Sequence, residues 1–172
     1  AGIPTTSEFD QLLTPALEPR KGQMPESYLA KKVAEAWLNG PLPGFNTLDM
    51  DFGKIREEEA IPWYELEFCE SVQRVGLVTT DDGRIGCSPD GLIGNDGGIE
   101  VKCPEPHTHV RYLLEGTLPK EYRAQLYGAM LVTGRAWWKF LSYRRHFPPI
   151  VLTVFRDDEF MRAIEETLGV FL

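Results

Sequence analysis

The sequence predicts an α/β (α+β) fold with a mixed central sheet, and three observations carry that expectation. Apolar residues first recur at helical spacing, then fall into short β-type runs between 72 and 103, then return to helical spacing before two further β-type runs. Turn formers punctuate the β-type region at Asp81-Asp82-Gly83 and at Gly94-Asn95-Asp96-Gly97-Gly98. The 172 residues are 42% hydrophobic, a length and composition that can bury an ordinary core, so one domain over 1–172 is expected.

Taken in order, Thr5-x-x-Glu8 ahead of Phe9, Leu12 and Leu13 reads as a capping box opening a short helix. Pro15 to Pro25 is loop. Glu26 to Leu38 carries Tyr28, Leu29, Val33, Ala36 and Trp37 at helical spacing, and Gly40-Pro41 ends it. A third helix is expected from Leu48–Asp51 through Glu57, with Pro62 as a kink or a stop. Val72 to Thr79, Arg84 to Cys87 and Ile99 to Cys103 read as strands. His107 to Leu114 and Pro119 to Thr133 read as helices, the second with proline near its start and Gly134 at its end. Trp137 to Tyr143 and Ile150 to Phe155 complete the strands, their aromatics fitting a core strand better than a base-stacking platform. Asp157 begins a C-terminal helix.

Bulk charge narrows the function. Eighteen lysines and arginines against 26 acids give a net charge of -8, which disfavours an open-faced nucleic-acid binder but permits an acidic exterior around a channel lined with cations. No apolar run approaches the ~18 residues of a membrane span, and no leader of signal-peptide type is visible. The three cysteines, Cys69, Cys87 and Cys103, cannot all pair, which fits reduced thiols in a cytoplasmic protein.

The chemistry concentrates in Ser88-Pro89-Asp90-Gly91 and, ten residues after the aspartate, Glu100-Val101-Lys102. Gly94 to Gly98 closes a hairpin between them, which sets Asp90 near Glu100 on the neighbouring strand. Strand alternation puts Glu100 and Lys102 on one face and Val101 in the core. Two close carboxylates repel unless a divalent cation neutralises them, and oxygen ligands suit Mg²⁺ or Mn²⁺. The adjacent lysine could orient or deprotonate a water or stabilise charge on a phosphate. A surface hairpin with a solvated Glu–Lys pair is the plain alternative.

The longer string Cys87-Ser88-Pro89-Asp90-Gly91-Leu92, then Gly98-Ile99-Glu100-Val101-Lys102-Cys103-Pro104, with Ala124-Gln125 on a later helix, resembles the PD-(D/E)XK nuclease superfamily. Within it, the likeness is to the phage lambda-type (YqaJ-type) alkaline exonucleases, and it extends back through Gly53 and Glu57 to Thr6-Ser7-Glu8. The resemblance implies a restriction-endonuclease-like core, a central mixed sheet flanked by helices. It makes Asp90, Glu100 and the backbone carbonyl of Val101 the Mg²⁺ ligands, with Mn²⁺ a possible substitute, and Lys102 the residue that positions or activates the attacking water. It implies that Gln125 contacts that water or the lysine, and that Glu57, four residues after Gly53, adds a ligand for a possible second ion. Ser7 and Ser88 match serines that bind the 5′-phosphate of a DNA end, and Arg20, with Lys21, falls in a loop that contacts DNA. The family's arginine upstream of the first serine has no counterpart after Ala1, so a short missing N-terminal segment is expected.

The same resemblance implies 5′→3′ digestion of linear double-stranded DNA from its ends to 5′-mononucleotides and single strand. It also implies a ring-shaped homotrimer, a single-strand annealing protein as partner, and action in the bacterial host cytoplasm if phage-encoded. Alternatives are a PD-(D/E)XK endonuclease and a non-catalytic DNA-end-binding protein on the same fold. A two-carboxylate glycosidase would need neither Lys102 nor a metal. A zinc site at Cys87, Cys103, His107 and His109 has poor spacing, and an iron–sulfur nuclease needs four cysteines.

Overall fold

The computed structural model of the protein describes residues 2–42 and 59–171. A short 3₁₀ helix (Thr6–Gln11) precedes α1 (Gln23–Leu38). A second helix, α2, covers 59–68. Seven strands follow in chain order: β1 (Val72–Gln73), β2 (Val78–Thr79), β3 (Gly86–Cys87), β4 (Gly91–Ile93), β5 (Gly97–Lys102), β6 (Trp137–Ser142) and β7 (Ile150–Phe155). Helices α3 (Pro106–Glu115) and α4 (Arg123–Thr133) fill the crossover from β5 to β6, and α5 (Asp158–Phe171) follows β7.

Five strands form one sheet in the order β1-β4-β5-β6-β7, with β5 and β6 parallel and the other neighbours antiparallel. This is the mixed sheet the sequence predicts. The alternation of side chains divides the core in two. Trp138, Phe140, Leu126, Met130, Ile164 and Leu168 pack with the 3₁₀ helix on the α4–α5 side. Ile99, Val101, Leu141 and Ile93 pack against Ala60, Ile61 and Tyr64 of α2 on the other. Because β5 alternates, burying Ile99 and Val101 under α2 turns Glu100 and Lys102 toward α4. That one-residue offset creates the site.

Two glycines are demanded by close approach. A Cβ on Gly91 would lie 2.1 Å from Val72 Cγ1 of β1, and one on Gly98 would lie 2.4 Å from the Trp138 ring. The sheet can close around the acid-bearing hairpin only where these side chains are absent.

Several local expectations are corrected. The Thr5–Glu8 pair is not a capping box: the Thr5 hydroxyl donates to the Glu8 carboxylate at 3.2 Å, and no side chain caps the 3₁₀ helix. Helix α1 begins three residues before Glu26, and its expected apolar stripe faces outward, with Trp37 86% exposed and Leu29 and Val33 also exposed. Of those apolar residues Tyr28 alone is buried, on a face it shares with Lys32 and Glu35. The cause is Glu8, whose carboxylate binds Lys31 at 2.5 Å, Lys32 at 2.7 Å and the Tyr28 hydroxyl at 3.1 Å. Charge pairing with Glu8 docks α1, together with burial of Tyr28 against Phe171 of α5.

The expected strand Val72–Thr79 divides into β1 and β2, which belong to different sheets. The Asp81-Asp82-Gly83 turn does join β2 to β3, with Gly83 at φ 70° and the Thr80 hydroxyl donating to Asp82. Pro62 does not stop α2. A 3₁₀ turn (Lys120–Tyr122) replaces the first turn expected for α4. Asp157 caps α5, accepting the backbone N–H of Glu159 at 2.9 Å. The third helix expected from Leu48–Asp51 through Glu57 lies outside the described residues.

Candidate active site

The hairpin delivers Asp90 and Glu100 together. Register pairs Gly91 with Ile99 and Ile93 with Gly97, with Gly94 at φ 52° in the turn, so Asp90 falls opposite the Glu100 end of β5. The Asp90 Oδ2 accepts the Val101 N–H at 2.6 Å, where the proline-led strand interruption leaves that donor open. Burial pushes the Asp90 carboxyl above the ordinary carboxylate range, only partly offset by the Val101 hydrogen bond and the charges of Lys102 and Arg74. A buried aspartate that resists ionisation is a group adapted to a counter-charge.

Glu100 is only 5% exposed, which excludes the solvated surface pair. Its Oε1 accepts Lys102 Nζ at 2.6 Å and Gln125 Nε2 at 2.6 Å. Lys102 loses solvation by burial, which opposes its charge, yet Glu100 and Asp90 beside it hold its pKa above the usual lysine value. The Lys102 ammonium also sits 5.1 Å from the centre of the Tyr122 ring. The expected constellation of Asp90, Glu100, Lys102 and Gln125 is thus joined through direct hydrogen bonds and charges. Glu57 lies outside the described residues.

The base of the site is braced from α3. His109 is fully buried and bonds Ser142 Oγ through Nδ1 at 2.8 Å and the Pro148 carbonyl through Nε2 at 2.9 Å. Ser142 is the register partner of Lys102, so α3 is locked to the strand end that carries the lysine. This arrangement consumes a histidine that the zinc alternative requires. Among the described residues no three His, Cys, Asp or Glu side chains gather to hold a metal. Cys87 is buried, and burial with the Glu100 charge pushes its thiol up to about 12, too high for a nucleophile at neutral pH.

The neighbouring carboxylates of Asp90 and Glu100 offer hard oxygen donors, a chemistry that suits Mg²⁺ or Mn²⁺ over a softer metal. Lys102 and Gln125 open onto a cleft of about 360 Å³. Its walls bring in Ser7 from the 3₁₀ helix, Arg20 from the following loop, and Thr14, Lys120 and Tyr122. The Arg20 Nε donates to the carbonyls of Asp10 at 2.5 Å and Leu13 at 3.0 Å, so this arginine also fixes the loop that carries it. Ser88 is exposed and does not line this cleft. Asp10, Thr14, Lys120, Glu121 and Tyr122 also line the cleft and lie outside the motif. Tyr122 lies one turn before Gln125, so helical spacing from the motif glutamine was the available signal for it.

The sequence matches the profile described as a YqaJ-like viral recombinase domain over residues 1–136. No curated protein sequence matches it significantly. Among solved structures, the alkaline exonuclease LHK-Exo from Laribacter hongkongensis superposes with a TM-score of 0.87 at 30% identity, covering 99% of this chain and 86% of that one. The same enzyme in complex with dAMP gives 0.88, with the same identity and coverage. A phage-related exonuclease from Haemophilus somnus 129PT shares the fold, with a TM-score of 0.75 at 13% identity, covering 98% of this chain and 91% of that one. With the profile spanning most of its length and an acid–lysine hairpin built as described, the chain belongs to the YqaJ-like viral recombinase domain family and has the α+β fold of an alkaline exonuclease.

Proposed function

We propose that this protein is a Mg²⁺-dependent exonuclease that degrades linear double-stranded DNA from its 5′ ends, releasing 5′-mononucleotides and leaving single strand. The observation that carries the reading is the convergence of Lys102 and Gln125 on Glu100, with Asp90 beside them, at the edge of a cleft that also contains Ser7. Family membership and the likeness to LHK-Exo, a protein solved with dAMP, support a nucleotide-handling site.

Asp90, Glu100 and the Val101 carbonyl would hold the metal, and Glu57 would supply a ligand to a second ion. When bound, such a metal would lower the pKa of a water and neutralise charge on the scissile phosphate. Lys102, an ammonium tethered to Glu100 and facing Tyr122, orients the water and balances phosphate charge. Gln125 fixes the Glu100 carboxylate and, through it, the lysine. Ser7 donates its hydroxyl to the 5′-phosphate of the strand end, and Arg20 contacts the duplex from its anchored loop.

The working assembly is a homotrimeric ring through which the duplex threads, a form in which an acidic exterior does not prevent binding. The exposed single strand passes to an annealing protein for phage-type recombination in the host cytoplasm, and 1–172 acts as one nuclease domain. Among the described residues no helix is long and apolar enough to cross a membrane.

The test compares linear with covalently closed circular duplex in the presence of Mg²⁺, with Lys102→Ala as control and EDTA as a chelation arm. Loss of the linear substrate alone, abolished by EDTA and by the substitution, is the expected outcome. Equal cleavage of the circle identifies an endonuclease. Digestion that survives EDTA removes the metal from the mechanism, and an active alanine variant removes Lys102.

A further inference from the structure

Lys102 carries its ammonium into the site on a long stem, and a hydrogen bond from Nζ to Glu100 Oε1 at 2.6 Å sets its distance from that carboxylate. Such a bond does not set the direction of the ammonium, because a lysine head is a compact charge with rotatable donors on a flexible chain. Holding it in one orientation needs a second wall. The ring of Tyr122 supplies one, with its centre 5.1 Å from Nζ. The negative face of an aromatic ring attracts a cation at this distance without taking the donors that a water or a phosphate oxygen would use.

The fold fixes that ring from behind. Parallel pairing sets Phe140 of β6 beside Glu100 and Ser142 beside Lys102. Tyr122 rests on Phe140 with 5.2 Å between ring centres, and Tyr112 of α3 closes edge-on at 6.2 Å from both rings. The chain enters α4 through the 3₁₀ turn Lys120–Tyr122, closed by the Tyr122 N–H on the Pro119 carbonyl at 3.1 Å. Gln125 follows one turn later and donates to Glu100. One face of this segment therefore serves both motif residues, Gln125 holding Glu100 and Tyr122 facing Lys102.

The hydroxyl is not what connects Tyr122 to the lysine. It lies 3.4 Å from the Tyr112 hydroxyl, long for an O–H···O bond, and Tyr112 donates to Glu121 at 3.0 Å. The ring face carries the contact.

We propose that Tyr122 is a positioning residue for hydrolysis: its ring face, backed by Phe140 and Tyr112, holds the Lys102 ammonium beside Glu100 and toward the place of the attacking water. This rests on the hydrolytic reading of the site given above. It adds a residue outside the nuclease motif that acts through Lys102 and not through the metal ligands or the grip on DNA.

The experiment separates the ring face from the hydroxyl. Tyr122→Phe removes the hydroxyl and keeps the face, whereas di- and trifluorinated phenylalanines at the same position keep the shape and progressively withdraw the negative charge of the face. Steady-state digestion of linear duplex at fixed Mg²⁺ and salt gives kcat and KM for each. Tyr122→Phe is expected to stay near wild type. The trifluorinated ring should lower kcat about ten-fold, the weight of a partly desolvated cation–π contact, with the difluorinated ring between and KM unchanged. In the metal-free protein, a Lys102 methylene proton signal displaced upfield by the ring, identified by its disappearance in Lys102→Arg, should persist in Tyr122→Phe and be lost in Tyr122→Leu.

Equal kcat across the fluorinated series overturns the proposal. So does a loss in Tyr122→Phe as large as that of the trifluorinated ring, because the hydroxyl then carries the role. A rise in KM at constant kcat overturns it as well, since Tyr122 then grips DNA. Absence of the displaced lysine signal in wild type removes the contact itself. The exonuclease reading fails separately, on the substrate. Should closed circles be cut as fast as linear duplex, that reading falls, while the fluorinated series read on circles still decides the role of Tyr122. A wild type inactive on both forms overturns the two together.

Discussion

Replacing Glu8 by glutamine should destabilise the protein in a way that depends on pH, and the dependence has a definite sign. Glu8 is the acceptor for Lys31 at 2.5 Å, Lys32 at 2.7 Å, the Tyr28 hydroxyl at 3.1 Å and the Thr5 hydroxyl at 3.2 Å. Burial by itself raises its pKa, but hydrogen bonds and charges from the two lysines outweigh that and lower it from 4.5 to about 2. At roughly 1.36 kcal/mol per unit the shift corresponds to about 3 kcal/mol. The side chain retains 26% exposure, and solvent screening reduces the stabilisation to about 2 kcal/mol. A depressed carboxyl pKa contributes fully above the unfolded value near 4.5 and is lost as pH falls toward about 2. For a chain of this size, about 2 kcal/mol is a fall in Tm on the order of 4–8 °C. Parallel melts of wild type and Glu8→Gln should show this gap at pH 7 and its closure between pH 4.5 and pH 2. A gap that stays constant with pH would refute the ion-cluster account, because a purely steric defect has no reason to titrate. Lys32 keeps Glu35 at 3.0 Å in the variant, so the substitution does not strand a buried charge.

The Asp90 carboxyl, a metal ligand in the proposed function, should show the opposite stability sign. Burial raises the Asp90 pKa, so its stabilising protonated form is lost as pH rises through the folded value, and the carboxylate strains the metal-free protein at neutral pH. Asp90→Asn keeps an acceptor for the Val101 N–H, and in EDTA at pH 7 it should melt above wild type by about 2–4 °C, on the order of 1 kcal/mol. Its digestion of linear duplex should fall below detection. A lower melting temperature than wild type would contradict the burial argument. Gly98→Ala places a methyl 2.4 Å from the Trp138 ring inside the core, and should cost about 3 kcal/mol or more. Expression yield and a urea titration check this, and wild-type stability would show that β5 and β6 can part at little cost.

Local pattern made the catalytic hairpin legible because its determinants are local. Alternation in Ile99-Glu100-Val101-Lys102 decides which side chains share a face, and the turn glycines decide that Asp90 returns beside them; both read directly from spacing. The parallel pairing of β5 with β6 was implied only by the intervening helical pattern. Helix α1 shows where such reading ends. Its periodicity at Leu29, Val33 and Trp37 is a valid amphipathic stripe, but periodicity specifies an apolar face without specifying what that face meets. Glu8, 23 and 24 residues before Lys31 and Lys32, attracts the opposite side of the helix, and no window spanning α1 contains that acid. The same logic separates the found from the missed site residues. Asp90, Glu100 and Lys102 lie in one motif, and Gln125 is recognisable by its Ala-Gln pair. Lys120 and Thr14 join the site because the 3₁₀ helix packs under α4, with a Cβ on Gly128 only 2.6 Å from the Phe9 ring. That contact crosses more than a hundred residues of sequence. The acid–lysine constellation of this chain is therefore written locally, in one hairpin, whereas the cleft beside it forms only once the 3₁₀ helix has packed against α4. On the proposed exonuclease function, Gly128→Ala, which sets a methyl 2.6 Å from the Phe9 ring, should accordingly raise KM for linear duplex more than it lowers kcat, as steady-state digestion rates would show.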